Sequence, residues 1–111
     1  MEAALRAADY DPYRADLQPE SDKICDEVLL TIQRSPFAVI DVTGARNGVY
    51  FEAGYALGRG RPVIWTCQKD WMDANPLPFN TRQYRHLQWR DAEDLHNQLS
   101  ARVALLYRRR G

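Results

Sequence analysis

Two carboxylates in one segment of the chain are of the type and spacing that could do chemistry. Asp41 closes the apolar run "FAVIDV", and Glu52 follows in "ARNGVYFEAGYALGRGRP", residues 45–62. The loop "TGARNG" joins them. Gly44 and Gly48 have no side chains there, so backbone amides can approach a ligand closely. Asn47 is positioned as a helix N-cap, and a helix start adds partial positive charge. At 100° per residue, Val49, Ala53, Ala56 and Leu57 form the inward face of the helix, with Glu52 on its flank between Ala56 and the pair Tyr55 and Arg59. The helix start favours an ionised carboxylate at Glu52, whereas burial opposes it. An ionised, held carboxylate suits attack on a sugar anomeric carbon, giving a glycosyl ester that water or a second base resolves. The competing reading is a solvated helix glutamate facing Tyr55 at i+3 or Arg59 at i+7. Asp41 fits a cap on its own loop better than a chemical role.

The elements that hold these residues follow from periodicity. "MEAALRAAD" has strong helix formers and reads as a helix, or as the last turns of a longer one. "YDPYRAD" is a short extended segment in which Pro12 allows an edge strand at best. Ser21 is placed to cap a helix ending near Arg34, with Ile24, Cys25, Val28, Leu29 and Ile32 on its apolar stripe. Pro36 disfavours helical geometry at Ser35 and stops it. "FAVIDV" and "PVIWTC" are nearly continuous apolar runs, as strands covered on both faces require. The helix between them, from about Asn47 to Arg59, is closed by Gly60 and Pro62. "QKDWMDANPLPFNTRQ" reads as a long loop and "YRHLQW" as a last strand. Asp91 caps a final helix with Leu95, Leu99, Val103 and Leu106 inward. Alternating strands and helices give an α/β domain with an open parallel sheet.

The chain has 111 residues, enough for one compact domain. Its 15 basic and 15 acidic residues cancel, which supplies no field toward nucleic acid or an anionic membrane. No run approaches the ~18 apolar residues of a membrane span, and no secretory signal opens the chain, so a cytoplasmic protein is expected. Cys25 and Cys67 are too few and too far apart for a disulfide framework or a CxxC metal site, and His86 and His96 have no ligand spacing. No metal or cofactor is expected. Trp65, Trp71 and Trp89 offer faces for a base but fit core or loop packing better. Cys67 reads as an inert buried thiol. Arg14 could meet a phosphate, although an ion pair with Asp16 suits "PYRAD" better.

The stretches "FAVIDVTGARNGVYFEAGYALGRGRPVI" and "LPFNTRQYRHLQW" resemble the nucleoside 2-deoxyribosyltransferase-like superfamily. That group includes deoxyribosyltransferases, nucleoside 5′-monophosphate N-glycosidases and Toll/interleukin-receptor-like nucleotide-binding relatives. The shared pattern is an aspartate ending a buried strand, a loop with Asn, aromatic-Glu-x-Gly-Tyr-Ala, and Gly-x-Pro before the next strand. The resemblance spans residues 8–90 and implies a flavodoxin-like open parallel sheet with flanking helices in one domain, 1–111. It implies Glu52 as nucleophile, Asp41 as a ribose or base contact, and Tyr55 as a binding or packing residue. Gly44, Asn47 and Gly48 would face the substrate, and Asn80 would reach a neighbouring subunit's site in a homodimer or higher homo-oligomer.

Two departures from the pattern bear on function. The position nearest to the family's second catalytic aspartate is Val28; Asp26 and Glu27 are close but would face elsewhere. The usual first strand and its glycine loop are missing, as in an N-terminally truncated domain. In the order 2-1-3-4-5 that strand is central, so a rearranged or swapped sheet, or a fragment, is expected before a sheet with a gap. The expected function is hydrolysis or transfer at the N-glycosidic bond of a nucleoside or nucleotide. The alternative is a non-catalytic nucleotide-binding or signalling module of the same fold.

Overall fold

The computed structural model describes residues 1–7, 10, 26–44, 48–75 and 84–106. The elements are α1 (Glu2–Ala7), α2 (Asp26–Arg34), β1 (Ala38–Asp41), α3 (Val49–Gly58), β2 (Val63–Gln68), α4 (Lys69–Ala74), β3 (His86–Trp89) and α5 (Ala92–Leu106). The three strands form one parallel sheet in the order β1-β2-β3. Ile40 pairs with Trp65 and Asp41 with Thr66; Trp65 in turn pairs with His86, and Gln68 with Trp89. This is an α/β fold of the flavodoxin-like kind, an open parallel sheet with flanking helices. Among the described residues no strand covers the outer edge of β1. The strand expected at "YDPYRAD" and the helix cap at Ser21 lie outside them, apart from Tyr10.

Alternation along the strands sends side chains to two helical layers. On one face Phe37, Ile64 and Leu87 pack with Ala4 and Leu5 of α1 and with Leu99 and Val103 of α5. Tyr10 and Phe37 pack in a T-shaped arrangement, with ring centroids 5.0 Å apart. On the other face Ile40, Val42, Trp65 and Cys67 pack with Ala53, Val49 and Tyr50 of α3 and with Trp71 and Met72 of α4. Central β2 is covered on both sides, which explains its nearly continuous apolar run.

Local signals set the ends. Asp91 caps α5 as its sequence suggests: its Oδ1 accepts the Asp94 N–H at 2.8 Å. Asp94 Oδ2 accepts the Arg90 N–H at 2.9 Å, and this bond holds the Asp94 carboxyl below its usual range. At the end of α3, the Arg61 N–H bonds Ala56 O at 2.8 Å and the Gly60 N–H bonds Leu57 O at 3.0 Å. Gly60 has φ +76, so "GRGR" closes the helix as a Schellman turn. Arg61 then donates from Nε and Nη2 to Gln33 O, at 3.0 and 2.6 Å, joining the ends of α2 and α3.

Three expectations are corrected. Leu57 does not join the inward face of α3; it is 38% exposed, because Ala53 and Ala56 bring the helix close to the sheet and leave Leu57 on the far shoulder. Leu106 is 53% exposed: Val103, one turn earlier on α5, is the last described residue of that helix to reach the core, and Leu106 extends beyond it. The segment after β2 is not wholly loop: α4 forms at Lys69–Ala74, supported by a Lys69–Asp73 ion pair at 3.1 Å.

Candidate functional site

In open parallel sheets, ligands bind at the carboxyl ends of the strands. Asp41, Thr43, Cys67, Gln68 and Trp89 all lie at that end. Asp41 is the centre of the polar structure there. Its Oδ2 accepts the Thr66 hydroxyl and the Trp89 indole N–H, each at 2.8 Å. Its Oδ1 accepts the Thr43 N–H at 2.9 Å. Thr43 Oγ1 in turn accepts the Gln68 N–H at 2.8 Å. One carboxylate thus ties the ends of β1, β2 and β3 together and shapes the turn leaving β1. Capping of its own loop is the part of this that the sequence foretells.

Glu52 sits in the first turn of α3 and is half-buried. Its backbone N–H bonds Gly48 O at 2.8 Å. The N-cap position belongs to Gly48, not Asn47, because α3 starts at Val49; Gly48 has φ 90 and offers no side-chain cap. The amides of Val49, Tyr50 and Phe51 therefore lack partners within the helix. Gly44, φ 82, provides the second left-handed position of the connection, a geometry that glycine adopts without strain. Asn47 and Asn80 lie outside the described residues.

Asp41 and Glu52 reach the strand ends from different layers. Asp41 shares a sheet face with its partner Thr66, on the side of α1 and α5, whereas α3 covers the opposite face. Tyr55 is half-buried and its hydroxyl donates to Gln33 Oε1 at 3.4 Å, which makes it a contact between α3 and α2. Val28 is buried in α2 and Glu27 is exposed.

Of the other groups near this end, Tyr50 was not foreseen. The Tyr50 hydroxyl is buried with no hydrogen-bond partner among the described residues, and burial raises its pKa, helped by the nearby Cys67 thiol. Cys67 is fully buried, and burial and then the Asp41 charge raise its pKa against the opposing contact from Thr43. The inert thiol expected from the sequence matches this environment. Trp65 is buried and stacks on Tyr84 at 5.3 Å, Trp71 packs on the core, and Trp89 is committed to Asp41. The visible signal for the Asp41 network is Thr66, the one hydroxyl in the apolar strand "PVIWTC". A buried hydroxyl there needs a partner, and Asp41 is its register neighbour.

Among the described residues no group of three or more His, Cys, Asp or Glu could hold a metal ion, and no helix is long and apolar enough to cross a membrane. The chain matches no protein-family model, no curated protein and no solved structure.

Proposed function

We propose that this chain acts on the N-glycosidic bond of nucleosides or nucleotides, as a hydrolase or deoxyribosyltransferase, with Glu52 as the nucleophile. The observation that carries this is the position of Glu52: a half-buried carboxylate in the first turn of α3, after glycines of positive φ, at the carboxyl end of a parallel sheet. The first amides of α3, which have no partner within the helix, favour negative charge on a substrate. Glu52 attacks C1′, the bond to the base breaks, and the glycosyl ester passes to water or to a second base. The motif resemblance adds a place in the nucleoside 2-deoxyribosyltransferase-like superfamily and assembly as a homodimer or higher homo-oligomer; the cysteine usage of the sequence suits cytoplasmic action.

A second reading, a non-catalytic nucleotide-binding or signalling module, is favoured by Val28. A buried valine at the position nearest to the family's second aspartate leaves no group there to manage the proton of the departing base. Mass spectrometry of free base released from pooled nucleosides, nucleotides and NAD separates the two. The enzyme reading expects release by the wild type and none by Glu52→Gln. Ligands that raise the melting temperature without any base release would instead establish the binding module.

A further inference from the structure

We propose that Asp41 is a positioning residue rather than a contact of the ligand, and that Trp89, on the far strand, aims it. The resemblance makes Asp41 a ribose or base contact, but its bonds point inward. A carboxylate has about four acceptor sites. Three are taken by Thr66, Trp89 and the Thr43 amide, all within the chain.

The two oxygens divide the work. Oδ2 is held by two side-chain donors, one from β2 and one from β3. Fixing Oδ2 fixes the carboxylate plane, and Oδ1 is then aimed at the Thr43 N–H. Thr43 is in turn held through its hydroxyl by the Gln68 amide. The turn at Thr43 and Gly44 leads the chain toward Gly48 and α3, where Glu52 lies. Trp89 is 48 residues from Asp41 in sequence, yet its N–H is the outermost fixed point of this line. It can donate only and has one N–H, so it cannot donate to a ligand while it holds Asp41.

The kinetic arm of the test rests on the glycosidic reading, whereas the exchange arm does not. Trp89→Phe keeps a ring and removes the donor, and Asp41→Asn removes the charge. Thr66→Val removes the second donor, and Thr66→Ser keeps it. Amide exchange at Thr43 is followed by NMR, with Val42 as the control, because its N–H bonds Thr66 O at 2.9 Å and needs no Asp41 side chain. Trp89→Phe is expected to speed Thr43 exchange about tenfold, the scale of one lost hydrogen bond to a charged group. Under conditions in which both amides exchange by local opening rather than by global unfolding, Val42 should exchange as in the wild type, and Thr66→Ser should behave as the wild type where Thr66→Val does not.

In base release, a positioning role lowers kcat by about tenfold in Trp89→Phe and Asp41→Asn alike, with KM within about twofold. The double variant should be no slower than Asp41→Asn alone. Unchanged Thr43 exchange in Trp89→Phe, or equal acceleration of Thr43 and Val42, overturns the proposal. So does a raised KM in Asp41→Asn with normal kinetics in Trp89→Phe, which is the signature of direct contact with the ligand. If the wild type releases no base, the catalytic reading falls and the exchange result still decides the role of Asp41.

Discussion

Replacing Asp41 by asparagine changes one atom, and the surroundings dictate what that atom costs. Asparagine can keep an oxygen toward the Thr43 N–H, but its NH2 then faces the two donors that Oδ2 receives at 2.8 Å. Thr66 can adapt: its hydroxyl turns to accept from the amide and directs its proton to Ile40 O, 3.5 Å away. Trp89 cannot, because an indole N–H only donates. A stranded donor costs about 1–3 kcal/mol, and the remaining bond to Thr43 loses the strengthening of a charged acceptor. The sum is about 3 kcal/mol, or about 12 °C in melting temperature for a domain of this size. Trp89→Phe alone should cost about 1.5 kcal/mol, one bond to a charged group with no donor left behind. In the double variant there is no indole N–H to strand, so its cost should fall short of the sum by about 1 kcal/mol or more. Urea unfolding of the four proteins, followed by circular dichroism, measures the cycle. A cost below about 1 kcal/mol for Asp41→Asn, or simple additivity, would refute the reasoning.

Other outcomes follow from the same structure. Burial lowers the His86 pKa, against the opposing bond between its Nδ1–H and Tyr84 O at 2.7 Å, while Nε2 is buried with no partner among the described residues. The unfolded chain therefore binds more protons near and below the ordinary histidine range of about 6.5. Stability should fall as pH drops through that range, and His86→Gln should flatten the decline in pH-dependent urea titrations. Cys67 should resist alkylation in the native protein and react in urea, because it is buried with a raised pKa; rapid native labelling would contradict this. Gly54→Ala and Gly60→Ala should act in opposite directions, although an added Cβ meets nothing within 4 Å at either site. Helical Gly54→Ala should stabilise by about 0.5–1 kcal/mol, and Gly60→Ala, at φ +76, should destabilise by about 1–2 kcal/mol, as thermal melts would record.

The strands and the longer helices were legible because their patterns are local. "FAVIDV" and "PVIWTC" are apolar on both faces, and the sheet buries β2 on both. Asp91 and Gly60 end their helices through their own side chain and backbone conformation, so their roles could be read from identity alone. Leu57 and Leu106 were misplaced for a shared reason. Helical periodicity states which residues line up but not how wide a surface lies beneath them, and both leucines fall at the margin of the surface their helices cover. In the site, the turn bond from Asp41 was visible because its acceptor and donor are two residues apart, whereas the Trp89 bond spans 48. The division of Asp41 and Glu52 between two sheet faces depended on strand register, which one apolar run does not specify.

The spacing of the Asp41 contacts also orders the assembly of the fold. β1, β2 and β3 each pair with their neighbour in sequence, through α3 and then α4, so the sheet can grow by short steps with modest loop-closure entropy. The Trp89–Asp41 bond closes the longest interval among these contacts and needs β3 already in register. A contact that needs the whole sheet in register is expected to form after the rate-limiting step. Its loss should leave the refolding rate almost untouched and appear in the unfolding rate instead. The tryptophan thus acts as a latch on a finished sheet, setting how long the native chain persists rather than how quickly it forms.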